Sequence, residues 1–415
     1  MTQFRPFKPL RYTQPDLSGV FAPPYDVLSA ADRMAMLEAD PHNSVAIDFP
    51  PGREDPTAYA AVADLLTDWI ADGTLAWATK DSFSIVRMTA PTASDIAGRT
   101  TTGVIGALTL SDPGTGDILP HEETTSKDKA DRLTLIRAAK INTSPIWGLS
   151  MTSGLGALLS NAIAGKSPHA HGTDNDGVLH ELWILDDAGA LRAIEAAVDT
   201  TPVVLADGHH RFETALAYQA EQPASNDSSQ PTGSDAIMTM IVELAPTELE
   251  VRPIHRLVDL PEGVSGDSLL GALSQWFRAE PAPASLASAL AQGGAPSALA
   301  VNSLPSENAL LLITATGCSF LSPIDDAFGP TLTLDSERVR KSVTDSAPNA
   351  ALRFHHDATH IYNEVLAGRA AAGILLRPAT VEQIHAVADK RTRMPAKTTF
   401  FWPKPRTGMV FRSVE

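Results

Sequence analysis

The residues best suited to chemistry fall in one run: Val203-Val204-Leu205-Ala206-Asp207-Gly208-His209-His210-Arg211-Phe212-Glu213-Thr214-Ala215-Leu216. A buried apolar strand leads into Asp-Gly, and the pattern predicts a helix opening within two residues. The first turn of such a helix has free backbone N–H groups and about half a positive charge from the helix dipole. His209, His210 and Arg211 add donors where a phosphate would sit. Arg211 can grip two oxygens at once, and Gly208 lets the backbone approach closely. The competing reading is a surface turn with a few solvated basic residues. Two adjacent histidines and an arginine at a strand–helix junction weigh against it.

A second constellation is Leu119-Pro120-His121-Glu122-Glu123-Thr124, with Lys127, Lys129, Asp131 and Arg132 behind it. A carboxylate beside a histidine, with cations close by, suits general-base work next to a phosphate. It equally suits a solvated charged face. A third runs from Arg393 through Met394-Pro395-Ala396-Lys397-Thr398-Thr399-Phe400-Phe401-Trp402-Pro403-Lys404-Pro405, where aromatics flanked by lysines could cover a substrate or form a packed strand. His355-His356-Asp357, and His360 with Glu364, read more readily as polar contacts than as metal ligands, because no His-Glu-x-x-His pattern exists. No metal site is assigned.

Several standard phosphate and nucleophile motifs are missing. Gly165-Lys166-Ser167 imitates the end of a phosphate loop, but Ser160 stands where its first glycine is needed. No Gly-x-Gly-x-x-Gly follows a strand, and no Gly-x-Ser-x-Gly elbow is present.

The elements that must position these groups alternate. The first 30 residues, punctuated by Pro6, Pro9, Pro15, Pro23 and Pro24, predict an extended arm. Periodicity predicts helices within 58–75 (stopped by Gly73), 129–139, 191–198, 210–218, 266–277 and 282–300 (interrupted at Gly293-Gly294), with another through His360 and Glu364. Strands are expected over 83–88, 103–110, 181–185, 202–205, 236–244, 310–314 and 373–376, and loops over 167–177 and 221–235. The expected class is mixed α/β, of α+β type.

Length and charge narrow the function. A chain of 415 residues allows roughly two or three domains. The partition expected is 1–110, an N-terminal segment with its arm; 111–260, a core with an insertion over 148–200; and 261–415, a C-terminal α/β segment. With 32 Lys+Arg against 49 Asp+Glu the net charge is −17, which disfavours binding to a nucleic-acid backbone. The lone Cys318 excludes an internal disulfide or a thiolate metal cage. Without an apolar signal core or a membrane-length run, the chain is expected to be cytoplasmic. Oligomeric state is not legible.

Five ordered segments, Ala22-Pro23-Pro24-Tyr25-Asp26-Val27, Pro120-His121-Glu122 through Arg132, Asn142-Thr143-Ser144-Pro145-Ile146, Asp207-Gly208-His209-His210-Arg211 and Met394 through Phe401, resemble a bacterial and archaeal domain-of-unknown-function family often encoded beside serine-biosynthesis enzymes. Pro-His-Glu followed by strand-Asp-Gly-His-His-Arg-helix also resembles the free serine kinases of the ParB/sulfiredoxin-like superfamily. That resemblance implies a ParB/sulfiredoxin-like nucleotide-binding core with inserted and C-terminal α/β segments. It implies Glu122 as the base on a serine hydroxyl, beside His121. It assigns the transferring phosphates to Gly208, His209, His210 and Arg211, with Lys127, Lys129 and Arg132 as further anion contacts. Asp207 would orient the turn or a Mg²⁺ ion. Asp26, Asn142, Ser144 and Lys397 are the matching candidates for substrate contact. Glu122 and Asp207 lie about 85 residues apart, so the 148–200 segment must be looped out.

The expected function is therefore phosphotransfer from ATP or ADP, with Mg²⁺, to a small hydroxylated metabolite, best represented by free L-serine giving O-phospho-L-serine. The alternative is a ParB-like nucleotide-binding or nucleotide-hydrolysing regulator without metabolite kinase activity. A weaker option is a metal-dependent phosphatase built on His209, His210 and His355 to Asp357. Arg211 is expected to be a surface arginine whose loss leaves the fold intact.

Overall fold

The computed structural model describes residues 2–52, 57–91, 98–112, 116–122, 129–222, 233–293, 309–329 and 332–415. The strands Ile146–Ser150 and Val203–Asp207 are apolar on both pleat faces, as befits strands covered on both sides. They belong to a nine-stranded mixed sheet. Its order is Ile118–Pro120, Val203–Asp207, Ile146–Ser150, Ala236–Glu243, Thr100–Thr109, Phe83–Thr89, Leu179–Leu185 and Ala170–Thr173, with Phe4–Arg5 also paired to Thr100–Thr109. Ile118–Pro120 runs parallel to Val203–Asp207, and Ile146–Ser150 parallel to Ala236–Glu243. Val203 and Leu205 pack with Phe212 and with the helices Leu155–Ile163 and Ala188–Val198. Val204 and Ala206 join the cluster on the other side, which holds Trp147, Met240 and Phe411.

A second sheet is six-stranded and antiparallel, in the order Phe277–Pro281, Gly317–Pro323, Leu310–Thr314, Ala372–Leu375, His255–Asp259 and Ala351–His355. Gly266–Ala272 and Asp335–Ser346 cover one face; Ala284–Gln292 and Ala358–Leu366 cover the other. Both ends of the chain are sewn into the first lobe. Leu10–Tyr12 pairs with Leu75–Trp77, Thr399–Trp402 with Glu250–Pro253, and Arg412–Ser413 with Ile141–Asn142.

The class is the mixed α/β one expected, but the partition differs. The boundary placed at 110 falls within one continuous sheet, because positions 103–109 of the strand Thr100–Thr109 pair with Ala236–Glu243. The C-terminal segment likewise leaves the second sheet and returns to the first lobe. The 148–200 segment is not a separate body: Leu179–Leu185 and Ala170–Thr173 extend the large sheet at the edge opposite Ile118–Pro120. Two local expectations change. Part of the expected 167–177 loop is the strand Ala170–Thr173, and the expected 266–277 helix ends in a 3₁₀ turn at Leu273–Gln275 before Phe277 starts a strand. Among the described residues, no helix is long and apolar enough to cross a membrane.

Candidate functional site

Asp207 ends the strand Val203–Asp207, where the register against Gly148 and Trp147 slips between Leu205 and Asp207. Such a bulge re-aims a side chain at a strand end. Gly208 follows with φ 89°, and a Cβ there would stand 2.7 Å from Cγ2 of Ile146, so the turn demands glycine. The helix His209–Glu221 then starts with no side chain capping its first turn.

The second constellation arrives through the neighbouring strand. Pro120 is the parallel partner of Leu205, so His121-Glu122 and Ala206-Asp207 leave the sheet at the same end. This pairing bridges the long intervening chain. His121 is fully buried: its Nδ1 donates to the Leu205 carbonyl at 2.5 Å, and its Nε2 lies 2.6 Å from the Thr399 hydroxyl. The carbonyl can only accept, which fixes a proton on Nδ1. Glu122 accepts the backbone N–H groups of Lys397 at 3.4 Å and Thr398 at 3.2 Å. Lys397 adopts φ 61°, and its carbonyl accepts from Arg256 of the second sheet at 3.0 Å. Burial pulls the Arg256 pKa down to about 10, with Glu122 opposing, so it stays charged at neutral pH.

These pieces meet in a cleft of about 140 Å³ that includes Tyr25, Asp26, Glu122, Asp207, Gly208, His209, His210, Arg211, Lys397, Phe400 and Lys404 in its wall. Its charges centre on Asp207. One carboxylate oxygen accepts from Lys404 Nζ at 2.7 Å, the other from Arg211 Nη2 at 2.9 Å. Burial opposes ionisation of Asp207, but Lys404 and Arg211 hold its pKa well below the usual range. Burial likewise opposes the charge on Lys404, yet Asp207 and Asp26 raise its pKa. Arg211 also donates to the Ser144 hydroxyl at 2.9 Å and the Pro145 carbonyl at 2.7 Å. Its side chain is only 11% exposed, which corrects the expectation of a surface arginine. The His209 ring lies 5.3 Å from that of His121, and its Nε2 is buried without a hydrogen-bond partner among the described residues. Burial and then His121 push its pKa down to about 3, so it is neutral at physiological pH.

Of the residues expected from the sequence, Asp26, Glu122, Asp207, Gly208, His209, His210, Arg211 and Lys397 come together in this cleft, with His121 behind Glu122. Three do not line it. Arg132 is buried; it donates to Asp48 and Asp131 and lies 3.9 Å over the Tyr25 ring, so its charge is already met and it props the cleft wall. Asn142 accepts from the Met238 N–H and from Arg412, and Ser144 is taken by Arg211. Lys127, and the side chain of Lys129, lie outside the described residues. Each oxygen of Asp207 accepts one hydrogen bond, from Lys404 and from Arg211. Among the described residues, no group of three or more His, Cys, Asp or Glu side chains could hold a metal ion. His355 and His356 stack instead, 4.9 Å apart, with His356 4.5 Å from Phe400, and Glu364 pairs with Arg369.

Lys404 and Thr399 were named only as part of the third constellation and Tyr25 only within an ordered segment, and none of the three was given a role of its own from the sequence. Lys404 carried the one usable signal, a lysine fixed between two prolines after an aromatic run, but its carboxylate partner is 197 positions away.

Several solved structures are similar over much of the chain. A conserved hypothetical protein from Pyrococcus furiosus shares 11% identity at a TM-score of 0.35, over 70% of this chain and 90% of its own. SbnI from Staphylococcus aureus, with a C-terminal truncation, shares 13% at a TM-score of 0.39, over 72% and 82%. A free serine kinase in complex with AMP shares 10% at a TM-score of 0.34, over 69% and 83%. No curated protein matches the sequence. The profile of one family aligns with residues 4–337, a span that holds four of the five ordered segments and stops short of Met394 to Phe401. The chain belongs to that family, described as "Protein of unknown function (DUF1015)".

Proposed function

We propose that this protein is a phosphotransferase that moves the terminal phosphoryl group of ATP or ADP onto the hydroxyl of a small hydroxy amino acid, with free L-serine the first candidate. The observation that carries this reading is the opposition, in one cleft, of a carboxylate positioned by backbone N–H groups (Glu122) and a cation-lined helix start (Gly208 to Arg211). The motif resemblance to free serine kinases points the same way.

In this reading the acceptor hydroxyl loses its proton to Glu122 while its oxygen attacks the terminal phosphorus in line. The bond from that phosphorus to the nucleotide's bridging oxygen breaks, and the nucleotide leaves one phosphate shorter. Arg211 and the leading helix N–H groups meet the charge on the equatorial oxygens. A neutral His209 offers a hydrogen bond without adding charge. If Mg²⁺ accompanies the nucleotide, Asp26 would be the cleft carboxylate free to meet it, and the ion would neutralise phosphate charge.

The test is a panel of hydroxy amino acids incubated with ATP or ADP and followed by phosphorus NMR. A new phosphomonoester signal is expected with one member. Inorganic phosphate alone would mark a hydrolase, and no change a binding protein; either result ends the kinase reading. Glu122→Gln should keep nucleotide affinity within a few-fold and lose transfer; loss of both would make Glu122 a structural carboxylate.

A further inference from the structure

Asp207 holds two cations with one carboxylate. Lys404 takes one oxygen and Arg211 the other, and all three side chains are at most 20% exposed. The triad by itself therefore carries one surplus positive charge in a largely desolvated cleft wall; Asp26 in the same cleft opposes it without a hydrogen bond to Lys404 among the described residues, and a half-buried charge of this kind gains from a further anionic partner. Arg211 gives both Nη1 hydrogens to Ser144 and Pro145 and one Nη2 hydrogen to Asp207. The Lys404 ammonium has three donors, of which Asp207 accepts one. Its backbone sits between Pro403 and Pro405, and the preceding Trp402 is pinned under the Arg252 guanidinium at 4.0 Å. The lysine is thus held in place by the surrounding chain, with donors to spare, beside an uncapped helix start.

We propose that Lys404 is a phosphate-binding residue: its ammonium contacts the phosphate chain of the nucleotide directly, so that the C-terminal segment, which lies beyond the span matched to the family, completes the anion cradle. This rests on the nucleotide reading above, which it deepens. A purely structural Lys404 would serve only to neutralise Asp207, a task Arg211 already performs. A ligand-binding Lys404 makes affinity depend on how many phosphates the ligand carries.

The experiment is calorimetric titration of the full chain with ATP, ADP, adenosine and inorganic pyrophosphate, for wild type, Lys404→Met, Lys404→Arg and the double variant Asp207→Asn with Lys404→Met. Loss of one charge-assisted contact predicts that Lys404→Met weakens ATP and ADP by about 10- to 100-fold and adenosine by less than about twofold. Lys404→Arg, which keeps the charge and the bond to Asp207, should recover much of the loss and controls for folding. The double variant should remain weak, because removing the carboxylate does not replace the lost contact; recovery there would show that Lys404 only answered Asp207 and would overturn the proposal. Equal ATP affinity in wild type and Lys404→Met would also overturn it while leaving the kinase reading standing. If wild type binds pyrophosphate in a Lys404-dependent way but no nucleotide, the cradle survives and the kinase reading fails.

Discussion

Two histidines show how position overrides residue type. His209 in the cleft and His255 in the second sheet are both pushed to a pKa of about 3, chiefly by burial. His255 is wholly buried, and its Nδ1 accepts the Leu376 N–H at 3.1 Å, which requires an unprotonated nitrogen. A free histidine protonates near pH 6.5. Below that pH the unfolded chain binds protons that the folded chain refuses, so stability falls as pH drops from about 6.5 towards 3. Each such histidine contributes a slope of up to about 1.4 kcal/mol per pH unit. Urea unfolding between pH 4 and 7 should show this, and His255→Gln, whose amide oxygen can still accept from Leu376, should remove one proton's worth of slope. An unchanged slope would mean His255 is solvated in the folded state. His209 and Asp207 were legible as chemistry-bearing residues, yet their ionisation states were not, because burial and partners such as Lys404 are set by distant chain.

Among elements, the decisive pair is Ile118–Pro120 beside Val203–Asp207. The strand Val203–Asp207, the glycine turn and the helix start were readable from an apolar run and Asp-Gly, whereas the three-residue strand Ile118–Pro120 was not expected. The parallel adjacency of the two strands was not readable either, since nothing local records which strand is a neighbour. Ala170–Thr173 was missed for a related reason. Its histidine and glycine are poor strand formers, but Gly172 must be glycine because the arm passes so close that a Cβ would lie 2.8 Å from the Ser18 nitrogen. Arg211 has a similar double role, for it clips the helix His209–Glu221 to the Ser144-Pro145 turn. Arg211→Ala should therefore weaken nucleotide binding and also lower stability by about 2–3 kcal/mol, as expected for removing a mostly buried, multiply bonded charge. Arg211→Lys should keep part of the affinity but not the clip. Denaturant midpoints with nucleotide titrations check both, and a variant as stable as wild type would show that the clip carries no energy.

At the scale of the whole molecule, the C-terminal segment ties the lobes together. It leaves the second sheet, wraps Glu122 with Lys397 and Thr398, pairs with Glu250–Pro253, delivers Lys404 and ends among core residues beneath the large sheet. Phe411 is completely buried there, its ring 6.2 Å from that of Tyr12 on the N-terminal arm. Phe411→Ala should cost about 3–5 kcal/mol through lost burial and the cavity left behind. Because the same segment closes the cleft, nucleotide affinity should fall with it. Unfolding and binding measured together test this, and a loss of stability with full affinity would mean that the core and the site are uncoupled.

Amino-acid order alone determined the mixed α/β class, the glycine turn opening a helix, and the set of acids and bases worth watching, because hydrophobic period, turn chemistry and side-chain type are local properties. Strand adjacency, the neutral state of His209, the burial of Arg211 and the arrival of Lys404 at Asp207 were decided by tertiary structure. Each depends on backbone pairing or desolvation between residues far apart in the chain, and no local pattern encodes either.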